Sequence, residues 1–201
     1  MRTVLILLFD DVEVLDFAGP FEVFAVASEL HAHTLFEVKT VARELRSVRA
    51  VNGLSVNPDL ALADAPQADL LIIPGGAGSR AVMRDEVTVG WVRDQAYAAE
   101  KVLSVCSGAR ILASADLLDG LTITTHHEVL PEMPDYAPGA ICLDDVRFTD
   151  NGQILTSAGI SAGIDLSLYV VSQLCGIEVA EKTARYMEYD WRVRGPGQSA
   201  R

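Results

Sequence analysis

Cys106 is the residue of this sequence best placed to form a covalent bond with a small molecule. It follows the apolar run Val102–Val105 and precedes a Ser-Gly turn and a helical pattern that starts at Ala109. A strand, a sharp turn and a helix in this order carry the nucleophile of elbow-type active sites at the tip of the turn. Because free N–H groups at the start of the helix favour a thiolate, we predict a lowered pKa for Cys106. The alternative is an inert buried cysteine, which is the usual state of a free thiol. The elbow pattern favours a reactive thiol at Cys106 over this alternative.

Two glycines could supply N–H groups for negative charge that develops near this thiol. Gly75 and Gly76 follow a short buried strand predicted at Leu70–Ile73, and Ser107 follows the cysteine directly. The backbone N–H groups of Gly76 and Ser107 are therefore predicted to form an oxyanion site. The alternative for the glycines is a turn that only requires a positive φ. A phosphate-binding loop is not indicated, because no Gly-Lys-Ser/Thr follows at the required distance.

Asp16 and His126 are the candidate proton-carrying and substrate-binding side chains. Asp16 lies just before a predicted helix, where a carboxylate commonly caps the helix or complements its dipole. It could equally face Cys106 and carry a proton, with a pKa raised by the neighbouring thiolate, and the sequence leaves both roles open. His126 follows a strand predicted at Leu121–Thr124. A single histidine is more often structural, but this position at a strand end predicts a contact with substrate.

The other residues that could do chemistry have weaker sequence contexts. His127, the neighbour of His126, is expected to point elsewhere than the predicted site, and Arg110, one turn into the elbow helix, is expected at the surface or in a dimer contact. The remaining cysteines are expected to be inert and the remaining histidines to lie at the surface: Cys142, Cys175, His31 and His33.

Composition excludes several classes of partner. The chain has 201 residues, half of them hydrophobic, and its 28 acidic and 16 basic residues give a net charge of −12. Nucleic acids and anionic membrane surfaces require clustered lysine and arginine, so neither partner is expected. Three cysteines without a Cys-x-x-Cys motif predict neither a disulfide framework nor a metal site, and they favour a reducing cytoplasm. No apolar run is long enough for a signal-peptide core or a membrane helix.

Buried strands alternate with helices along the chain. Strands are predicted at Thr3–Phe9, Phe36–Ala42, Leu70–Ile73, Val102–Val105 and Leu121–Thr124, with hairpins through Asn52-Gly53 and Asn151-Gly152. Helices are predicted at Phe21–Leu30 (opened by Pro20), Thr88–Glu100, from Ala109 onward, Ile164–Cys175 and Glu178–Trp191, while Pro58–Pro66 is a connector. This pattern predicts an α/β fold with a doubly wound, mostly parallel sheet and helices on both faces. We expect one domain over residues 1–191 and a flexible tail over 192–201.

Ligands of such sheets bind outside the carboxyl ends of the strands. The acidic loop that contains Asp16, the Gly75-Gly76 turn and Cys106 each follow a predicted strand. We therefore expect all three to meet at one edge of the sheet.

Six short motifs occur in order along the chain: Leu15–Pro20, Ile73–Gly76, Ser104–Gly108, Leu117–Gly120, Thr124–His126 and Thr156–Asp165. Together they resemble the ThiJ/PfpI family, part of the class I glutamine amidotransferase-like, flavodoxin-like superfamily, over nearly the whole chain. The resemblance implies a flavodoxin-like fold, Cys106 as the nucleophile, Asp16 as the acid/base group and a hydroxyl-bearing residue at Ser107. It also implies a homodimer that needs no cofactor.

Within that family the sequence looks closest to isonitrile hydratases and to the sensor halves of AraC-type regulators. Isonitrile hydratases have Thr after the cysteine and Trp after the histidine, where this chain has Ser107 and His127, and the latter change is expected to reshape the pocket. The protease branch has a histidine directly after its cysteine, so Ser107 argues against peptidase activity. The regulators continue into a helix-turn-helix region. The chain stops before such a region and is acidic, so DNA binding is not expected.

The leading hypothesis is an enzyme that adds water to an isonitrile and releases an N-substituted formamide. The catalytic residues would be Cys106, Asp16 and Ser107, and the substrate or oxyanion would be bound by Gly75, Gly76 and His126. Two alternatives stay open. One is a redox or small-molecule sensor in which Cys106 is oxidised or lines a pocket. The other is a hydrolase or lyase that acts on small carbonyl compounds.

Overall fold

The computed structural model describes residues 1–193 and 195–198, and a seven-stranded β-sheet lies at its centre. Within the described residues the strands are Arg2–Leu8 (β1), Phe36–Ala42 (β2), Val48–Arg49 (β3), Ser55–Val56 (β4), Leu60–Ala61 (β5), Leu70–Ile73 (β6), Lys101–Val105 (β7), Thr122–Ile123 (β8), Ile141–Cys142 (β9), Phe148–Asp150 (β10) and Ile154–Ser157 (β11). The helices are Val14–Glu29 (α1), Ser79–Val82 (α2), Glu86–Ala98 (α3), Ala109–Ser114 (α4), Met133–Tyr136 (α5), Ala162–Cys175 (α6) and Ile177–Tyr186 (α7). The tail expected to be flexible includes residues 194 and 199–201, which lie outside this description.

The central sheet has the strand order β10-β11-β7-β6-β1-β2-β5. Every neighbouring pair is parallel except the β10–β11 edge, which is the antiparallel hairpin predicted through Asn151-Gly152. The predicted α/β fold with a mostly parallel sheet is therefore confirmed.

Strand β1 shows why this sheet needs helices on both faces. Its side chains alternate between two hydrophobic cores: Val4, Ile6 and Leu8 lie in one, and Leu5 and Leu7 lie in the other. All five are at most 1% exposed. The first core also contains side chains of α1, α6 and α7, and the second contains side chains of α3 and α4. A continuous apolar strand is stable here because both of its faces are covered.

The first helix begins earlier than the sequence pattern predicts. We expected Pro20 to open a helix at Phe21, but α1 starts at Val14 and contains Pro20 in its interior. A proline has no N–H group to donate to the carbonyl four residues earlier, so it more commonly marks a helix start, and this preference made the prediction wrong. Asp16 consequently lies in the first turn of α1 and not in a loop.

Two minor strand predictions and one predicted connector also differ from the structure. The strand expected at Leu121–Thr124 is shorter and pairs with Ile141–Cys142 in a separate two-stranded sheet. The hairpin through Asn52-Gly53 is present as β3–β4, but it too forms its own small sheet and not the edge of the central one. That edge is Leu60–Ala61, inside the segment expected to be a connector. Two-residue strands contain too little alternation for the sequence to reveal them.

No helix within residues 1–193 and 195–198 combines the length and the apolar character that crossing a bilayer requires.

Candidate active site

Four neighbouring parallel strands bring the candidate residues together. Strands β11, β7, β6 and β1 are adjacent in that order, so the segments that follow their carboxyl ends meet at one edge of the sheet. The segment after β1 leads into the start of α1, which carries Asp16, and the one after β6 contains Gly75. Cys106 follows β7, and Ile160 lies in the segment after β11. This is the edge at which open α/β sheets bind ligands, as the sequence predicted.

Cys106 lies at a strained turn, as an elbow nucleophile does. Its φ is +56°, in the left-handed region that side chains other than glycine rarely adopt. Its backbone is held from two sides: the Cys106 N–H donates to the Ala158 carbonyl at 3.2 Å, and Thr125 Oγ1 donates to the Cys106 carbonyl at 2.5 Å. These bonds tie the turn to two neighbouring segments and so stabilise the strained conformation.

Asp16 is fully buried and faces Cys106. Its Oδ2 accepts a hydrogen bond from the Gly75 N–H at 2.9 Å, whereas no N–H or O–H group of the described residues donates to its Oδ1. Burial raises the pKa of this carboxyl to about 7, although the Gly75 hydrogen bond lowers the pKa, and the negative charge of Glu13 raises it further. Asp16 can therefore gain and lose a proton near neutral pH, which is what a general acid/base requires.

The pKa of the Cys106 thiol is raised, which contradicts the lowered value predicted from the sequence. Burial raises it to about 12, the charge of Asp16 adds to this, and the N–H groups of Ser107 and Ile160 lower it only in part. The side chain is 7% exposed, and the helix after the turn has only six residues, so its dipole is small. The thiol therefore needs Asp16 to accept its proton before it can act as a nucleophile.

The backbone N–H groups near the sulfur are not the pair that we expected. The Gly76 N–H, predicted to face an oxyanion, donates instead to Ser107 Oγ at 2.9 Å. The N–H groups that lower the pKa of the Cys106 thiol belong to Ser107 and Ile160. Ile160 has a φ of +49°, which is unusual for a β-branched residue and aims its N–H at the thiol.

Gly75 is required where it stands because its backbone fits between two of the site residues. A Cβ atom there would lie 2.5 Å from the Ser107 nitrogen, 2.6 Å from Ser107 Oγ and 2.9 Å from Asp16 Oδ2. Gly76 has a φ of +118°, so the turn also needs a positive φ, which was the alternative role considered for these glycines.

His126 lines the same cleft as Cys106, whereas His127 does not. The Glu128 N–H donates to His126 Nδ1 at 3.3 Å, which places the hydrogen of the neutral ring on Nε2. Burial lowers the pKa of His126, and the adjacent His127 lowers it further, so the ring is neutral at pH 7. A Cβ atom on Gly159 would overlap the imidazole, so this glycine gives the ring its space.

The cleft above Cys106 has a volume of about 310 Å³. Residues from all four strand-end segments contribute to it, and its walls include the charged side chains of Glu13, Arg80, Arg110 and Glu128. Within the described residues, no group of three or more His, Cys, Asp or Glu side chains is arranged to hold a metal ion. The site therefore offers a thiol, a carboxyl and a polar-walled space for a small molecule.

Residues 2–173 match the model of the DJ-1/PfpI family. The chain belongs to the DJ-1/PfpI family. It is 36% identical to the isonitrile hydratase of Pseudomonas putida over 186 residues, which cover 91% of this chain and 76% of that protein. A ThiJ/PfpI family protein from Pseudomonas syringae has a similar structure, with a TM-score of 0.86, 28% identity, and coverage of 99% of this chain and 78% of that one.

Regulatory proteins are also among the DJ-1/PfpI relatives. The chain is 30% identical to the HTH-type transcriptional regulator GbdR of Pseudomonas aeruginosa over 94% of its own length. It spans only half of that regulator's length. Membership of the DJ-1/PfpI family therefore identifies the fold, and leaves the reaction to be argued from the site itself.

Arg110 and Arg80 line the cleft of this DJ-1/PfpI protein, which the sequence did not predict. Arg110, expected at the surface or in a dimer contact, is 3% exposed and forms an ion pair with Glu132 at 2.7 Å. The prediction was wrong because a charged residue one turn into a helix is normally exposed, and its partner lies 22 positions further along the chain. Arg80 binds the same carboxylate at 2.7 Å through its other oxygen. No local pattern could have revealed this arrangement.

Proposed function

We propose that this protein is a cysteine-dependent enzyme of the isonitrile hydratase type, which converts an isonitrile and water into an N-substituted formamide. The observation that carries the proposal is the pairing of Cys106, which lines an open cleft, with the buried, titratable carboxyl of Asp16, since each of the two groups shifts the pKa of the other. The identity to the Pseudomonas putida isonitrile hydratase supports this choice of reaction.

In the first step Asp16 acts as a base and then as an acid. Its carboxylate accepts the thiol proton while Cys106 Sγ bonds to the terminal carbon of the isonitrile. The same proton is then delivered to that carbon, which gives a thioimidate with a C–H bond and a carbon–nitrogen double bond. Because a raised pKa near 7 allows both directions of transfer, one carboxyl can perform them in sequence.

The second step consumes the water. Asp16, again a carboxylate, removes a proton from water as the water oxygen bonds to the thioimidate carbon, and it passes this proton to the nitrogen. The carbon–sulfur bond then breaks, the sulfur takes the remaining proton of the added water, and the formamide leaves with its new C=O and N–H groups. Sulfur carries developing negative charge as it leaves, and the N–H groups of Ser107 and Ile160 that bond to Cys106 stabilise it.

Formation of the formamide from cyclohexyl isocyanide, followed by infrared or gas-chromatographic detection, tests this proposal. Cys106→Ala should abolish turnover, and Asp16→Asn should lower it by about 10²–10⁴-fold because the proton carrier is lost. Cys175→Ala is the matched control, since it removes a partly buried cysteine outside the cleft. Full activity of Cys106→Ala would refute the mechanism.

A redox or small-molecule sensor is the second candidate, and the 30% identity to a transcriptional regulator favours it. Two peroxide molecules would convert the Cys106 thiol to a sulfinic acid and release two waters. Intact-mass spectrometry after mild peroxide treatment would show a gain of two oxygens at Cys106. That gain in a protein that turns over no isonitrile would favour the sensor, whereas turnover of a small carbonyl compound would favour the hydrolase or lyase alternative.

We also propose that the protein acts on a small molecule in the cytoplasm as a homodimer, without a nucleic-acid or membrane partner. The acidic net charge of −12 supports the exclusion of anionic partners. Light scattering coupled to gel filtration would test the dimer, for which a monomeric mass is the contrary result.

A further inference from the structure

Arg110 donates hydrogen bonds in two directions from a buried position. Its Nε and Nη2 bond to Glu132 Oε2 at 3.0 and 2.7 Å, and its Nη1 bonds to Ser79 Oγ at 3.2 Å. Ser79 is 0% exposed, so water does not compete for its hydroxyl. The Arg110 guanidinium, which lines the cleft, therefore connects Glu132 to the buried Ser79.

The polarity of these hydrogen bonds is imposed by the arginine. A guanidinium has only donors, so Ser79 Oγ must accept from Arg110, and its own hydrogen is directed to Ser107 Oγ at 3.2 Å. Ser107 Oγ also accepts from the Gly76 N–H at 2.9 Å and donates to the Gly76 carbonyl at 3.1 Å. Ser107 Oγ is thus bonded to both the N–H and the carbonyl of Gly76, and its hydrogen is directed to that carbonyl.

The residue before Gly76 completes the connection to the acid/base group. The Gly75 N–H donates to Asp16 Oδ2, which makes this oxygen the acceptor and leaves Oδ1 to carry the proton when the carboxyl is neutral. Oδ1 has no hydrogen-bond partner among the described residues, so it is the oxygen on which a proton displaces no existing bond. The orientation of Asp16 therefore depends on where the Gly75-Gly76 turn is held.

We propose that Arg110 is a positioning residue that, through Ser79 and Ser107, fixes the Gly75-Gly76 turn and thereby keeps the Gly75 N–H on Asp16 Oδ2, so that Oδ1 is the oxygen that carries the proton. Arg110 does not touch the reacting atoms. Its contribution is the fixed direction of a hydrogen-bond chain, which a residue able to reverse its donor and acceptor roles would not provide. The proposal rests on the Asp16–Cys106 pair of the proposed function, and it holds for whichever small molecule the cleft accepts.

The pH profile of Cys106 alkylation by iodoacetamide tests this chain in the Cys142→Ala/Cys175→Ala background, where Cys106 is the only cysteine. Ser79→Ala interrupts the chain without changing any charge, and Arg110→Lys keeps the charge but cannot hold Glu132 and Ser79 in the same fork geometry. In both variants the turn loosens, and Asp16 loses the Gly75 hydrogen bond that lowers its pKa. Because burial raises the pKa of the Cys106 thiol to about 12, alkylation at lower pH requires the Asp16 carboxylate to accept the thiol proton. The midpoint of this Asp16-dependent alkylation should rise by about one unit in both variants.

Ser28→Ala is the matched control for the loss of a buried, hydrogen-bonded serine. Ser28 is 2% exposed and donates to the Phe36 carbonyl, far along α1 from the cleft. It should lower the melting temperature, as Ser79→Ala does, and leave the alkylation midpoint unchanged. The Ser79→Ala/Arg110→Lys double variant should shift no further than Ser79→Ala alone, because the two changes interrupt one chain. The parent midpoint in either single variant, or an equal shift in Ser28→Ala, would overturn the proposal.

Alkylation needs no isonitrile, so this test is independent of the proposed reaction. A shifted midpoint in a protein that makes no formamide would retain the positioning role and reject the hydratase. Formamide production with an unshifted midpoint would support the hydratase and reject the positioning role of Arg110.

Discussion

The Gly75 N–H donates to Asp16 Oδ2 at 2.9 Å across 59 positions of sequence. This bond joins the segment after β6 to the first turn of α1, and it is the contact that orients the buried carboxyl. Without it Asp16 would be a buried acid with no N–H donor among the described residues. The cost of keeping such a group in the fold should be visible in the pH dependence of stability.

Asp16→Asn should stabilise the protein at alkaline pH. The pKa of Asp16 is raised to about 7 in the fold, whereas an unfolded aspartate titrates near ~3.9. The neutral carboxyl is the favoured form in the fold, so stability is fully present below the unfolded pKa and is lost as pH rises through 7. At pH 8 the variant should gain up to roughly 4 kcal/mol in the free energy of unfolding, and the gain should vanish near pH 4. Urea unfolding at both values measures it, and a difference that is independent of pH would contradict the raised pKa.

Gly75→Ala should destabilise the protein and abolish turnover together. The new Cβ would lie 2.5 Å from the Ser107 nitrogen, which is backbone and cannot rotate away. The cost should reach about 3 kcal/mol, with loss of the hydrogen bond to Asp16. Gly90→Ala is the control: this glycine lies inside α3 with nothing within 4 Å of its Cβ position, so alanine should stabilise by about 0.5–1 kcal/mol. Equal stabilities of the two variants would contradict this packing.

The sequence revealed the features that depend on local patterns. A continuous apolar run is visible in β1 because both of its faces are buried, and the elbow is visible because Cys106 lies between such a strand and a helical pattern. The meeting of Asp16, Gly75 and Cys106 at one edge follows from the parallel order of their strands.

What the sequence could not reveal depends on distant partners and on burial. The thiol pKa was predicted in the wrong direction, because burial beside Asp16 outweighs the short helix that follows Cys106. Arg110 was placed at the surface, because its charge is balanced by Glu132 in a segment with no pattern that links the two. Ile160 offered no signal, since a left-handed β-branched residue is exceptional.

Gly159→Ala should displace the His126 ring and reproduce the effect of His126→Ala on turnover. The alanine Cβ would overlap the imidazole, which must rotate out of the cleft. If His126 contacts the substrate, as we predict, both variants should raise KM by about tenfold. The double variant should be no worse than either single one, because both remove the same side chain from the cleft. Steady-state kinetics of all three check this, and additive losses would show that Gly159 acts elsewhere.

Arg147→Ala should weaken the loop that presents the Ile160 N–H to Cys106. Arg147 Nε donates to Asp165 Oδ2 at 2.7 Å, and its Nη1 lies 3.4 Å from Ser161 Oγ, so one side chain ties the residue after Ile160 to helix α6. The two ionic side chains are 21% and 13% exposed, and removing the arginine leaves a mostly buried carboxylate with no cationic partner, held only by the Tyr189 hydroxyl at 3.1 Å. The free energy of unfolding should fall by about 2 kcal/mol, and alkylation of Cys106 should slow as the sulfur loses a hydrogen bond that lowers its pKa.

Arg93→Ala is the comparison for that prediction, because its ion pair with Asp116 is 49% and 85% exposed. An exposed pair is screened by water, so this change should cost at most about 1 kcal/mol and leave the alkylation rate as it is. Guanidinium unfolding and iodoacetamide kinetics on the two variants measure both quantities. If Arg147→Ala lowers stability but its Cys106 is alkylated at the parent rate, Arg147 is not needed to position the Ile160 N–H. The left-handed backbone at Ile160 is then held by its other neighbours.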